Sequence, residues 1–190
     1  VASLEKHEAW ELISGIDELL RWWPELWPER SPPTLESPGQ VRRLCEAAMQ
    51  ARDSPERLQA LATSLGGFPE PPVASGAVYG IRFEPLRSAA ALVVEGHTMQ
   101  HCIGTREFVE DCARGRGYAY ALAAEAPSLA PLRGLRATAW LTPRVDGRWE
   151  LLDLRSVRNE EPLPLVYDAV ICWLARHELQ REAALRAADA

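Results

Sequence analysis

Hydrophobic residues change their period near residue 72, and a chain that does this cannot belong to a single secondary-structure class. Before that point Leu4, Trp10, Ile13, Ile16, Leu19, Leu20 and Trp23 recur close to the helical repeat, which predicts an amphipathic helix over 4–23 stopped by Pro24. Trp27-Pro28-Glu29-Arg30-Ser31-Pro32-Pro33 then reads as a proline-broken connector. Two shorter helical patterns follow, over 40–51 and 55–65. The second has Ser54 as its cap, Pro55 in the first position and Gly66-Gly67 at its end. Gly67-Phe68-Pro69-Glu70-Pro71-Pro72 has linker composition, so the expectation is a helical N-terminal subdomain over 1–72 and a second domain over 73–190.

Past the linker, Val78, Gly80, Arg82 and Glu84 alternate with Tyr79, Ile81 and Phe83, the two-residue repeat of a strand. Ser88 is placed to cap a short helix reaching Val94. Thr105 opens another that carries Phe108, Val109 and Cys112 and closes at Gly115 and Gly117. Three more strands are predicted over 118–123, 137–142 and 149–154, the last two joined through Asp146-Gly147. A final helix runs to about residue 187, with Val166, Val170, Trp173, Leu174, His177 and Leu185 partly sharing a face. The order predicts an α+β fold: an antiparallel sheet of about four strands with one face under helices, preceded by an all-helical extension.

Composition narrows the function classes. With 47% hydrophobic and 25% charged residues the chain is globular. Its longest apolar stretches, 118–124 and 169–175, fall far short of the roughly 18 to 20 residues of a membrane span. The N-terminus lacks the basic start and apolar run of a secretory signal, so a soluble, cytoplasmic protein is expected. Cys45, Cys102, Cys112 and Cys172 are widely spaced without a CxxC pair, which predicts reduced thiols, Cys45 and Cys172 being buried on helix faces. A net charge of -6 disfavours a broad nucleic-acid surface. Arg114, Arg116, Arg133, Arg136 and Arg144 are read either as a local basic patch or as solvated loop charges. Trp22, Trp23 and Trp27 are either a protein-binding patch or cover for the neighbouring core.

Two segments carry the residue types of a site. Glu95-Gly96-His97-Thr98-Met99-Gln100-His101-Cys102-Ile103-Gly104 gathers a carboxylate, two imidazoles, a thiol and two glycines between two helices. Imidazole exchanges protons near neutral pH and helps a thiol reach its nucleophilic form. Adjacent His101 and Cys102 diverge in any regular backbone, so one is expected to face the core and the other to meet the last strand. The alternative is structural, with His101 hydrogen-bonded in the core and Cys102 buried. His97, His101, Cys102 and Cys112 also offer zinc-binding side chains, though at no established zinc spacing. The second segment, Asp153-Leu154-Arg155-Ser156-Val157-Arg158-Asn159-Glu160-Glu161, lies at a strand end, where sites commonly sit. Asp153 and Arg155 share a strand face, as an acid-orienting or anion-binding pair beside Asn159, or as a plain surface ion pair next to a turn.

Residues 86–104, from Leu86-Arg87-Ser88 through Glu95-Gly96 to Met99-Gln100-His101-Cys102-Ile103-Gly104, are followed by a short helix, the stretch 115–120, a strand hairpin and the stretch 155–159. Over roughly 78–176 this arrangement resembles the PcfJ-like proteins, which are encoded on conjugative plasmids, phages and other mobile elements. The resemblance matches His101 and Cys102 to that family's His-Cys, and Arg155 and Asn159 to the basic residue and Asn of its late polar motif. It supplies positions more than a reaction. Where family members often have Tyr after His-Cys this chain has Arg106; where a Gln and a Gly precede the Asn it has Asp153 and Ser156; and a middle-strand Glu is here Trp140. The resulting expectation is a mobile-element or bacterial-conflict domain. Its cleft would use His101 as acid or base, Cys102 as nucleophile or support, Asp153 as an orienting acid, and Arg155 with Asn159 as anion-stabilising groups on a nucleic-acid substrate, without a cofactor. The alternatives are a non-catalytic interaction module that contacts protein through the N-terminal tryptophans, and a zinc-stabilised domain.

Overall fold

A computed structural model describes residues 2–125 and 134–188, apart from the side chains of residues 2–9 and 11. The chain divides into two compact units, Val1–Arg57 and Leu58–Ala190. This division falls inside a helix, upstream of the composition change at residue 72.

In the first unit, α1 (Ala2–Leu26) and α2 (Pro38–Arg52) pack around Leu19, Trp23, Leu26 and Ala48. Pro24 does not end α1, contrary to the sequence expectation. Proline costs the helix one backbone bond, but Leu19, Trp23 and Leu26, at i, i+4 and i+7, continue the buried stripe through it, and Trp27 N–H closes on Trp23 C=O at 2.9 Å. Ser37 caps α2 by accepting from Gln40 N–H, with Pro38 in the first turn. The three tryptophans belong to this packing. Trp23 is buried and donates Nε1–H to Arg30 C=O at 2.8 Å, the rings of Trp23 and Trp27 lie 4.5 Å apart, and the Arg52 guanidinium sits over Trp22. Cys45 is only half-buried and donates its S–H to Gly15 C=O.

The second unit begins within α3 (Pro55–Ser64) and continues β1 (Gly76–Val78), β2 (Ile81–Pro85), α4 (Ala89–Met99), α5 (Arg106–Ala113), β3 (Tyr118–Ala124), β4 (Arg136–Pro143), β5 (Trp149–Ser156) and α6 (Pro164–Ala188). The strands form one antiparallel sheet in the order β1-β2-β3-β4-β5, so the α+β class holds with five strands rather than about four. The extra strand arises because the alternating run 78–84 is not continuous. Tyr79 (φ 52°) and Gly80 (φ 72°) both take the left-handed conformation of a two-residue hairpin turn, and Val78 pairs with Ile81 across it.

Helices cover both faces of the sheet, not one. Tyr118, Tyr120, Leu122, Ala137, Ala139, Leu141 and Leu154 face α6 through Val166, Ala169, Val170, Trp173 and Leu174, whereas Leu185 is exposed. On the other side Ala119 and Trp140 meet Leu58 and Ala62 of α3, Leu92 and Val93 of α4, and Val109 and Cys112 of α5. Alanines at 119 and 121 keep the middle of that face low, which lets helices lie close. Trp140 is the exception; its ring lies over Gly117 and meets Phe108 edge-on at 4.9 Å. Among the described residues no helix is long and apolar enough to cross a membrane.

Candidate functional site

The site starts from the end of α4. Ser88 caps the helix by accepting from Ala91 N–H, as expected, but α4 runs to Met99, five residues beyond the predicted end at Val94. Glu95 and His97 are therefore helical. Gln100 closes the helix in the left-handed region (φ 56°), and Gly96 C=O receives both its N–H and that of His101. The chain then folds straight back as a 3-10 turn, Cys102–Gly104, seated on α4. The two glycines of the motif make this seat: a Cβ on Gly96 would stand 2.8 Å from Gly104 N, and one on Gly104 3.0 Å from Val93 Cα. They serve backbone approach, not chemistry.

This fold-back turns His101 toward the sheet. Its Nδ1 accepts from Ile103 N–H at 3.4 Å, and its Nε2 lies 3.0 Å from Thr138 Oγ1 on β4. The Thr138 hydroxyl donates to Glu95 Oε1 at 2.8 Å, so its one proton is committed. Nε2 must therefore carry the ring proton and donate to Thr138, leaving Nδ1 as the acceptor. Glu95, only 3% exposed, receives a second bond on Oε2 from Arg136 at 2.9 Å. A carboxylate with so little solvent is stable as an anion because both oxygens are paired, one of them with a guanidinium that reaches solvent. Burial lowers the His101 pKa from its usual value, against the opposing pull of the Glu95 and Asp153 charges, so the ring is neutral at neutral pH.

The second segment comes from β5. Register pairs Thr138 with Arg155 and Trp140 with Asp153, which puts all four on the face that carries His101. A bulge opposite Trp140 and Leu141 interrupts the ladder beside them. Arg155 Nε lies 2.9 Å from Asp153 Oδ1, the exposed ion pair that was one of the two readings. β5 ends in a 3-10 turn, Val157–Asn159, with Arg158 and Asn159 both at φ 60°. Arg158 Nε donates to Gln100 Oε1 at 2.9 Å and so ties this turn directly to the end of α4.

His101, Cys102, Asp153, Arg155 and Asn159, the residues singled out in the sequence, thus line one cleft, walled by Ile103, Phe108, Trp140 and Thr138. Its volume is about 30 Å³, room for a single water. Cys102 is exposed, which removes the reading of it as a buried core thiol, and His101 meets the inner strand β4 where the last strand was expected. Thr138 and Arg136 were not recognised as site residues. The available signal was the alternation Arg136, Thr138, Trp140 within a strand, which places the three on one face.

The four residues considered for zinc do not converge. His97 is exposed on α4, and Cys112 is buried on α5 with its thiol pushed up to about 12 by burial. Among the described residues no group of three or more His, Cys, Asp or Glu side chains is arranged to hold a metal. The arginines near the hairpin do not form a free basic patch either: Arg114 pairs with Glu110, Arg116 with Asp111, Arg136 with Glu95 and Arg144 with Glu150, while Arg133 lies outside the described residues.

Comparison with protein families, with curated proteins and with solved structures finds no match to this chain.

Proposed function

We propose that this chain is a PcfJ-like domain of a mobile element or bacterial conflict system, working in the cytoplasm, whose cleft performs acid-base chemistry on an anionic, phosphodiester-type substrate. The observation that carries this reading is the Glu95–Thr138–His101 chain of hydrogen bonds beneath a cleft edged by Cys102, Arg155 and Asn159. A buried carboxylate is an expensive means of filling a core position, and its oxygens here hold a neutral imidazole in one tautomer. The Nδ1 lone pair, engaged only by a long bond from Ile103 N–H, is the ring's basic position. When it takes a proton, Nε2–H still points to Thr138, and the Glu95 charge stabilises the imidazolium. Arg155 and Asn159 supply donors for the substrate's anionic oxygens. A cleft with room for one water requires the substrate to lie across its mouth.

A second reading has its own support. Both imidazole nitrogens have partners, the state of a histidine that locks a fold, so the same residues suit a non-catalytic module.

Labelled single- and double-stranded DNA and RNA oligonucleotides separate the two. Turnover should be lost by about 10²–10⁴-fold in His101→Ala and reduced in Arg155→Ala, with folding checked by circular dichroism. No turnover of any of the four substrates by the unaltered protein, or full turnover by His101→Ala, would leave the module reading standing.

A further inference from the structure

The two edges of the sheet are treated differently. β5 carries Glu150, Asp153 and Arg155 and is bulged near Trp140, devices that discourage another strand from pairing there. β1, at the opposite edge, is Gly-Ala-Val and carries no charge. Its two-residue hairpin makes Val78–Ile81 and Gly76–Phe83 the hydrogen-bonded pairs, so the N–H and C=O of Ala77 point outward. Ala74, Ser75 and Ala77 are exposed, and Ser75 has no backbone partner among the described residues.

This edge is held rigid. Tyr120 Oη donates to Val73 C=O at 2.7 Å and accepts from Val73 N–H at 3.0 Å, while Trp173 Nε1 donates to Ala74 C=O at 3.2 Å. The Trp173 ring stacks on Phe83 and fills the space a side chain on Gly76 would need. Between β1 and α6 lies a groove of about 180 Å³ lined by 73–78, Trp173, Arg176, His177 and Gln180. Arg176 makes no ion pair or hydrogen bond among the described residues, and nearby Glu178 is held by Arg181 at 3.2 Å.

We propose that the β1 edge and Arg176 form a docking site for an extended segment of a partner protein that bears a carboxylate. The segment adds as a sixth strand, its backbone pairing with Ala77 and Ser75, and its carboxylate meets the unpaired guanidinium. The site is independent of the cleft, which lies on β4 and β5.

Two displayed libraries of random seven-residue peptides, one with free and one with amidated C-termini, are selected against the full chain. The winners are then titrated into protein with its backbone amides assigned by NMR. Enrichment of Asp or Glu in both libraries, or enrichment only with free ends, assigns the carboxylate to a side chain or to the terminus; either supports the site when the Ser75 and Ala77 amides shift. Arg176→Gln should weaken binding about tenfold with the β1 shifts retained, and Ala77→Pro, which removes the outward N–H, should abolish it. Should Ala77→Pro fail to fold, Arg176→Gln decides alone. Winners with neither an acidic side-chain preference nor a need for a free C-terminus, shifts confined to other surfaces, or no enrichment in either library would overturn the proposal.

Discussion

Tyr118 and Tyr120 stand two residues apart on β3, face the same core and are both fully buried, yet only one of their hydroxyls is matched. Tyr120 exchanges two hydrogen bonds with Val73, whereas Tyr118 Oη has no partner among the described residues, and burial pushes its pKa up to about 12. An unmatched buried hydroxyl costs about 1–3 kcal/mol, so Tyr118→Phe should leave stability unchanged or raise it by about 1 kcal/mol. Tyr120→Phe strands two backbone groups and should cost about 1–3 kcal/mol; urea unfolding of the pair measures the contrast. The same accounting applies to the relay. Thr138→Val leaves Glu95 Oε1 and His101 Nε2 without their shared partner and should cost about 1–3 kcal/mol or more. His101 also sets a pH dependence. Its folded pKa lies below the unfolded value of 6.5, so above 6.5 neither state binds the proton and the residue contributes no slope. As pH falls below 6.5 the unfolded state binds it first, and stability drops until the folded value is passed and the loss levels off. That component of the drop should disappear in His101→Asn, measured by urea unfolding at pH 7.5, 6.5 and 5.5; an unchanged profile would mean that His101 titrates normally.

At the scale of elements, glycine decides how closely the site's parts approach. Gly96 lies inside α4, where alanine would favour the helix by about 1 kcal/mol. The new Cβ would meet the Gly104 backbone, which cannot swing aside as a side-chain end does, and overpacking of this kind costs about 1–3 kcal/mol. The second effect wins: Gly96→Ala should destabilise the protein and displace the 3-10 turn, visible as a changed His101 imidazole signal by NMR. These glycines also show what the sequence made legible and what it hid. Their clustering with His101 and Cys102 singled the segment out, yet packing of two backbone stretches gives no periodic signal from which the reason follows. Local capping was readable at Ser54 and Ser88, because a cap depends on residues three positions away. The last five residues of α4 were not, since Gly96 weakens helix propensity and the burial of Glu95, Gly96 and Met99 against distant elements overrides it. The hairpin at Tyr79-Gly80 was hidden for the opposite reason. The turn in fact reverses the alternation, placing Val78 on the same face as its partner Ile81, but Val78-Tyr79-Gly80 offers too little apolar-polar contrast to show the break, so β1 and β2 read as one.

For the whole molecule, the five-residue set in the cleft was legible because residue type and strand alternation suffice to choose candidates, while Thr138 and Arg136 needed the register of β4 against α4. The two-sided burial of the sheet was less visible, since the alanines facing α4 and α5 give little hydrophobic contrast with the polar positions of an exposed face. Composition divides the chain at 72, but Leu58 and Ala62 of α3 are buried in the cluster beneath α4 and α5, with Phe68 packed against it. A fragment starting at Val73 therefore lacks part of its own core, and the loss of a fully buried leucine alone is worth about 1.5–3 kcal/mol. A fragment starting at Asp53 keeps these residues together with Ser54, which accepts from Arg57 N–H at the start of α3. Against a typical domain stability of about 5–15 kcal/mol the difference is large. The 53–190 fragment should unfold cooperatively, and the 73–190 fragment should show a Tm lower by several degrees or a broad, non-cooperative transition by circular dichroism. Equal melting of the two would place the structural boundary where the composition changes, and would mean that α3 contributes nothing to the sheet's outer layer.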